Sequence, residues 1–143
     1  NGWSYHYCRR QWSLVDNPNL RYRELNDFDK AMIALLKDED ILNAPTQSTW
    51  IQNGDKVLMY LKGDIAFAFN FHPTQSFDGY FVPVKEEGRY QVILSSDDGV
   101  FGGYDRIDTE YQYEARKAAD GRIGFLCYLP CRSAMVLKKM ESK

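Results

Sequence analysis

The chain has 143 residues, 44% of them hydrophobic and 27% charged, a composition that excludes intrinsic disorder. Its 18 lysines and arginines nearly balance 20 aspartates and glutamates, which leaves a formal net charge of −2. The two signs are scattered and form no basic stripe, so we expect no nucleic-acid partner. The length suffices for one hydrophobic core.

The first part of the chain predicts one amphipathic helix. Asp16-Asn17-Pro18 is a helix-start signal, because a short polar side chain caps free amides and proline fits the first turn. We predict a helix over about 19–37, with an apolar stripe of Leu25, Phe28, Met32, Leu35 and Leu36. The acidic triplet 38–40 follows at the unfavourable end of the helix dipole and should lie in a solvated turn.

After Pro45 the pattern changes to short alternating runs separated by Gly, Asp, Asn and Pro, which is typical of an all-β domain. The predicted strands are 48–52, 56–62, 65–72, 80–84, 89–95, 125–129 and 133–139. The fold class is therefore mainly β, an antiparallel β-sandwich of about seven to eight strands preceded by a helical segment.

One of these strands, 65–72, alternates strictly between large and small side chains. Ile65, Phe67, Phe69 and Phe71 share one face, and we assign the three phenylalanines to the sandwich core. The small residues on the opposite face indicate that something packs closely there as well.

The segment 96–124 predicts a long polar loop, and loops of this length in compact domains usually have a function. It contains Asp97, Asp98, Asp105 and Asp108. We interpret these residues as turn formers in a solvated loop, in preference to a calcium site or catalytic carboxylates.

Other chemistry has little support. The only histidines are His6 and His72; His72 precedes Pro73 at a strand end and should bond the backbone rather than act as a general base. No G-x-G-x-x-G, P-loop or G-x-S-x-G motif occurs. We therefore expect no catalytic residue, no metal site and no cofactor.

Neither a membrane span nor a disulfide framework is expected. The longest strongly apolar run, 65–71, is far below the ~20 residues of a membrane-spanning helix. Cys8, Cys127 and Cys131 lack the doubled C-x-x-C spacing of a zinc site and cannot all pair. Reduced thiols indicate a cytoplasmic protein. We expect the last two cysteines to be buried, because Arg132 is the only basic neighbour that could activate them.

Exposed aromatic residues offer the most open functional possibility. Trp3, Tyr5, Tyr7 and Trp12 are crowded together with two arginines between them, and flat rings beside planar donors suit a sugar. The alternative is that these rings belong to a larger protein interface. Trp3, Trp12 and Trp50 are the candidate sugar contacts, although Trp50 also fits a core position.

Several segments together resemble one enzyme family. They are 1–12, 20–32, 69–73, Ser95-Ser96-Asp97 with Gly102-Gly103, and 128–130 with Arg132, Ala134, Val136 and Leu137. In this order they resemble the carboxy-terminal part of glycogen and starch branching enzymes. Two departures are Cys131, where a small polar residue such as serine is expected, and a shortened segment 38–47.

The resemblance implies a function for a longer protein. In that family a (β/α)₈ barrel of the α-amylase superfamily transfers a piece of α-1,4-glucan to form an α-1,6 branch, using an Asp nucleophile and a Glu acid/base. No residue here matches those motifs, and the chain starts with Asn1 rather than Met, so we expect a catalytically inactive fragment. Residues 1–44 would be the tail of the barrel domain, and residues 45–143 the all-β carboxy-terminal domain.

The implied partners are an α-glucan, bound through the parent enzyme, and the catalytic barrel domain of the same protein. Two alternatives remain open. The chain could be a stand-alone carbohydrate-binding β-sandwich module, or the carboxy-terminal domain of another hydrolase of the α-amylase superfamily.

Overall fold

The computed structural model describes residues 8, 9 and 11–141. An α-helix, α1, spans Tyr22–Asp38, and short 3₁₀ turns span Trp12–Leu14 and Gly99–Phe101. Eight strands follow the helix: β1 Thr46–Gln52, β2 Val57–Lys62, β3 Ile65–Asn70, β4 Phe77–Pro83, β5 Gly88–Ser95, β6 Gln112–Lys117, β7 Ile123–Leu129 and β8 Ser133–Lys139. No helix in the described part of the chain is long and apolar enough to cross a membrane.

Helix α1 confirms the predicted helix but begins later than expected. The side chain of Asn17 accepts a hydrogen bond from the amide of Asn19 at 3.0 Å, so the polar residue closes a local turn instead of capping the helix. The predicted solvated acidic turn is wrong for Glu39, whose carboxylate lies 2.6 Å from Nζ of Lys138 on β8. The carboxyl end of α1 is therefore tied to the sheet.

The strands form one antiparallel sheet in the order β1-β2-β3-β8-β5-β6-β7-β4. The sheet curls until its two halves enclose a shared core, which confirms the predicted mainly β class. Near its two ends, the hydroxyl of Tyr80 on β4 donates to Asp55 in the β1–β2 turn at 2.8 Å. Pro83, without an amide hydrogen, is the last residue of the edge strand β4, a position where no ladder donor is needed.

The prediction that 96–124 is entirely loop was wrong, because β6 lies within it. Among its six residues only Ala115 is buried, so the sequence carries almost no apolar alternation. β6 is held by its neighbours, pairing with β5 through Tyr90 opposite Tyr113 and with β7 through Arg116 opposite Gly124. Pairing with the neighbouring strands, and not the local preference of its residues, gives this segment its strand conformation.

The assignment of the β3 phenylalanines to the sandwich core was also wrong. The enclosed core contains the small face of β3, Ala66 and Ala68, with Met59 and Met135 opposite Ala68 on the two flanking strands. Methyl side chains allow the two halves of the sheet to approach closely. The expectation of close packing on the small face is thereby confirmed.

The bulky face of β3 packs outward against the helix. Ile65 and Phe67 form a second cluster with Ile41, partly covered by Leu35 and Leu36 of α1. The rings of Phe69 and Phe71 continue this face in a stack, 5.7 Å between centroids, and Phe71 is 61% exposed. The fold thus has three layers over this half of the sheet.

Asn70 joins the ends of the two halves. Its buried amide donates to the carbonyl oxygens of Gln75 and Leu129 at 3.0 and 3.1 Å, and its oxygen accepts the amide of His72. The imidazole Nδ1 of His72 accepts the amides of Thr74 and Gln75. The expected backbone-bonding role of His72 is confirmed.

Candidate functional site: the exposed face of α1 and the 96–106 loop

Helix α1 keeps an apolar surface that the β-domain does not cover. No residue of α1 is fully buried, although its carboxyl half contacts the sheet. Leu25 is 63% exposed, and Met32 and Ile33 are exposed on the same helix. An apolar helix surface in water is unfavourable, so this face is a candidate interaction site.

An open cleft of about 430 Å³ lies between the exposed part of α1 and the preceding 3₁₀ turn. Its lining residues are Gln11, Trp12, Leu14, Val15, Tyr22, Leu25, Asn26 and Asp29. Most of these side chains are apolar, with a carboxylate and two amides at the rim. Such a lining suits an apolar side chain from a protein partner or the hydrophobic face of a sugar ring.

The amino half of α1 is positioned by the loop that follows β5, the 96–106 loop. The ring of Phe28 packs edge to face with Phe101, 5.2 Å between centroids. Arg21 donates to the carbonyl oxygen of Gly102 at 3.4 Å and pairs with Glu24 at 3.1 Å. A smaller cleft of about 270 Å³ lies between the helix and this loop. Because residues of both elements line it, the helix and the loop border the same surface.

Two glycines allow this loop to pack tightly. Gly102 has φ +78°, a left-handed conformation that side chains rarely adopt. A Cβ at Gly103 would overlap the carbonyl oxygen of Asp97. The loop therefore needs glycine at both positions.

An internal ion pair holds the same loop. Asp97 is only 3% exposed, and its carboxylate accepts bonds from the Arg106 amide at 2.8 Å and from Nη2 of Arg106 at 2.6 Å. Burial opposes ionisation of Asp97, but the hydrogen bonds from Arg106 prevail and lower its pKa. The interpretation of Asp97 as a solvated turn former was wrong.

The other acidic residues of the loop agree better with that interpretation. Asp105 accepts the amide of Gly99, and Asp108 accepts the amide of Glu110 at 2.9 Å. Asp98 is half-buried, and burial together with the charge of Asp105 raises its pKa. No group of three or more potential metal ligands occurs among the residues that the structure describes.

Arg106 also links the loop to the β7–β8 turn. Its Nη2 donates to the carbonyl oxygen of Cys131 at 3.2 Å, and its Nη1 lies 3.7 Å from the sulfur. Hydrogen bonds from Ser76 and Arg106 lower the pKa of the Cys131 thiol. Cys131 is buried as expected, but the expectation that Arg132 is its only basic neighbour was wrong.

Cys127 is a plain core residue. It is buried between the two halves of the sheet, and burial raises the pKa of its thiol to about 12. The thiol therefore stays protonated and unreactive at neutral pH.

The candidate glucan contacts lie in different places. Trp12 is 68% exposed and lines the larger cleft. Trp50 is half-buried and packs against the enclosed core, so it faces away from α1. Trp3, together with Tyr5, Tyr7 and His6, lies outside the described residues.

Sequence reasoning missed Tyr104 and Arg106, which the structure brings together at this surface. Tyr104 and Arg106 are two residues apart in a polar segment, where no hydrophobic periodicity indicates that they lie together. The short motif Ser95-Ser96-Asp97 marked one partner of the ion pair, but only the folded loop identifies Arg106 as the other.

Chemically, this surface can bind but has no arrangement for bond cleavage. The tyrosine–carboxylate pair Tyr80–Asp55 lies elsewhere, and burial raises the pKa of Tyr80 to about 12, so its hydroxyl remains a donor. Hydrolysis or transfer needs a nucleophile with a base in reach, and the described loop and helix residues do not supply that pair.

Comparison with known proteins agrees with this architecture. Residues 50–140 match the family model for the alpha amylase C-terminal all-beta domain. Proteins named 1,4-alpha-glucan-branching enzyme are 41% identical over 140 residues in Rhizophagus irregularis and 39% identical over 144 residues in Saccharomyces cerevisiae. These alignments cover 96% and 99% of this chain, and 20% of each relative.

A chloroplastic/amyloplastic 1,4-alpha-glucan-branching enzyme of Oryza sativa subsp. japonica is 47% identical over 108 residues, which cover 75% of this chain and 13% of that protein. The chain thus spans about a fifth or less of these relatives' length. The resemblance to branching enzymes noted in the sequence is confirmed. With 91 of its 143 residues inside the matched model, the chain belongs to the family of alpha-amylase C-terminal all-beta domains.

Proposed function

We propose that this chain is the carboxy-terminal part of a 1,4-α-glucan branching enzyme. The parent protein would transfer a segment of α-1,4-glucan to form an α-1,6 branch, with its catalytic carboxylates on a barrel domain outside this chain. The relatives' names and the identity along nearly the whole chain support this assignment. The role of the present chain is to cover and stabilise that barrel.

The observation that carries the stabilising role is the double use of helix α1. Its carboxyl half packs on the outer face of the sheet through Leu35 and Leu36, whereas Leu25, Met32 and Ile33 remain exposed. The apolar stripe of α1 therefore extends beyond the part that the sheet covers, and the uncovered part is available to a second partner. We therefore assign residues 1–44 to the end of the barrel domain and 45–143 to the all-β domain.

Two finer features belong to the same proposal. We place the parent protein in the cytoplasm and in glycogen synthesis, supported by the free cysteines Cys8, Cys127 and Cys131 and by similarity to fungal branching enzymes. Its α-glucan substrate would be bound mainly through the catalytic domain.

The test is made in the parent protein and compares two leucines that are equally exposed in this chain. Leu25 on α1 and Leu126 on β7 are each 63% exposed in this chain. We expect Leu25→Asp to lower the melting temperature and the yield of active enzyme, because it places a charge in the domain contact. Leu126→Asp should leave both unchanged. Equal behaviour of the two variants would contradict the stabilising role.

A second experiment tests the location of the chemistry. The 143-residue chain, incubated with amylose, should leave iodine staining unchanged, while the parent protein shifts it by introducing branches. Branching by the chain alone would overturn the assignment. Release of reducing ends by the parent protein, without new α-1,6 linkages, would favour another hydrolase of the α-amylase superfamily.

A second candidate function is that the chain is itself a glucan-binding module. The observation in its favour is Trp12, which is highly exposed beside the cleft on α1. Co-sedimentation of the chain with glycogen tests it, using Trp3→Ala, Trp12→Ala and Trp50→Ala separately. Unchanged retention of all three variants would exclude these rings as glucan contacts.

A further inference from the structure

Tyr104 is the most exposed large aromatic side chain in the described residues, at 73%. It belongs to the 96–106 loop and is not needed for the core. A single exposed ring is ordinary on a protein surface, so the contacts that hold Tyr104 in place are what distinguish it.

The orientation of this ring is constrained by Arg106. The guanidinium carbon of Arg106 lies over the ring, 5.2 Å from its centroid. Arg106 is itself fixed by the buried carboxylate of Asp97 at 2.6 Å and by the carbonyl oxygen of Cys131 at 3.2 Å. The ring is thus supported by a cation whose own position is set by two bonds.

The backbone on either side of Tyr104 is equally constrained. Gly103 precedes it and packs against Asp97 without space for a side chain. Asp105 follows it with φ +50°, a left-handed conformation that is uncommon outside glycine but accessible to aspartate, and its amide donates to the carbonyl oxygen of Asp97 at 2.8 Å. The loop therefore holds the backbone at Tyr104 in place, which reduces the ordering that a ligand must impose.

The guanidinium of Arg106 is the donor group that lies beside this ring. Arg132, exposed on the neighbouring β7–β8 turn with φ +53°, interacts with the Cys131 sulfur that Arg106 also approaches. A flat ring beside guanidinium donors matches a pyranose, which presents an apolar C–H face and a rim of hydroxyls. A protein partner would instead be expected to bury a wider apolar patch than one tyrosine.

We propose that Tyr104, supported by Arg106, is a surface site for a linear α-1,4-linked glucan chain, with the ring stacking on one glucose unit. The choice of glucan rests on the proposed function, since the related proteins are named as glucan-branching enzymes. The site is separate from the cleft beside Trp12 and adds a binding surface outside the catalytic domain.

The experiment measures the dissociation constant of the 143-residue chain for maltoheptaose by NMR titration. Tyr104→Ala should weaken binding about tenfold, whereas Tyr104→Phe, which keeps the ring, should stay close to the unmodified chain. The matched control is Phe81→Leu on β4, since Phe81 also lies beneath a guanidinium, that of Arg122, at 4.7 Å. Circular dichroism melts verify that each variant is folded.

Absence of maltoheptaose binding by the unmodified chain would overturn the inference, as would equal affinity of the Tyr104→Ala variant. A loss of similar size in Phe81→Leu would also overturn it, because the effect would then be nonspecific. None of these outcomes touches the stabilising role, which depends on Leu25 and the activity of the parent protein. Failure of the two ideas can therefore be distinguished.

Discussion

Nη2 of Arg106 lies 2.6 Å from Oδ1 of Asp97, and this pair joins the 96–106 loop to the β7–β8 turn at one end of the sandwich. Asp97 follows β5, Arg106 leads toward β6, and the guanidinium reaches the β7–β8 turn at Cys131. The carboxylate is buried while the guanidinium is partly exposed. The pair thus fixes the loop that contacts helix α1 through Phe101.

Removing the cation should be costly. Arg106→Met leaves the buried Asp97 charge without its partner, and we expect a loss of about 3 kcal/mol in the free energy of unfolding. Urea denaturation of the chain measures it. The exposed pair Arg116–Glu114 on β6 is the matched control, because Arg116→Met there should cost less than about 0.5 kcal/mol. Equal losses would contradict a structural role for the buried pair.

The same pair predicts an acid-sensitive stability. The pKa of Asp97 is lower in the folded chain than in the unfolded chain, so its contribution is complete above the ordinary carboxyl pKa of about 4. It is lost as the pH falls through the lower, folded value. Urea midpoints measured between about pH 5 and pH 2 should fall less steeply for Asp97→Asn than for the unmodified chain. Parallel curves would contradict the shift.

Gly103→Ala tests the close approach of the loop backbone to Asp97. Because the added Cβ would overlap a carbonyl oxygen, we expect the free energy of unfolding to fall by about 3 kcal/mol as the loop rearranges. Gly54→Ala is the control, since nothing lies within 4 Å of a Cβ at that position. Thermal melts of both variants give the comparison. A Gly103→Ala chain as stable as Gly54→Ala would show that the loop can relax freely.

The two buried cysteines should respond differently to serine. Cys131→Ser keeps a polar atom where Ser76 and Arg106 donate, so the free energy of unfolding should change by less than about 1 kcal/mol. Cys127→Ser buries a hydroxyl in the enclosed apolar core and should cost about 1–3 kcal/mol. Chemical denaturation distinguishes them. A larger loss of stability for Cys131→Ser than for Cys127→Ser would show that the environments of the two thiols have been assigned wrongly.

The two faces of β3 give the last prediction. Ala68→Leu adds volume between the two halves of the sheet, where Ala68 is fully buried, and should destabilise by about 1–3 kcal/mol. Phe71→Ser removes a much larger side chain but one exposed to water, and should cost less than about 1 kcal/mol. Thermal unfolding measures both. A greater loss for Phe71→Ser would restore the original assignment of that face to the core.

Much of the fold follows from local pattern. The apolar stripe predicts α1 with a start three residues too early, and the alternation predicts β3 with an end two residues too late, because a helical or strand period is visible in the order of the side chains. β6 was not predictable in this way, since only Ala115 of its residues is buried. Its strand conformation comes from hydrogen bonds with β5 and β7.

The site was less predictable than the fold. Trp12 was identified as an exposed aromatic, and Trp50 packs against the core, which the sequence had offered as its alternative position. Neither Tyr104 nor Arg106 stands out in the sequence, because the cation–π contact and the bond to Cys131 depend on loops that converge only after folding. Which side chains are exposed to solvent depends on how the elements pack in the folded chain.

Composition, residue order and recognisable motifs by themselves determined that the chain folds, that it is mainly β after one helix, and which enzyme family it resembles. The tertiary structure decided which face of β3 is enclosed, which acidic residue is buried and which aromatic rings reach solvent. The physical reason is that periodicity records only that two faces differ. Which face becomes the interior depends on what packs against it, and here the small alanines admit the other half of the sheet while the phenylalanines meet α1.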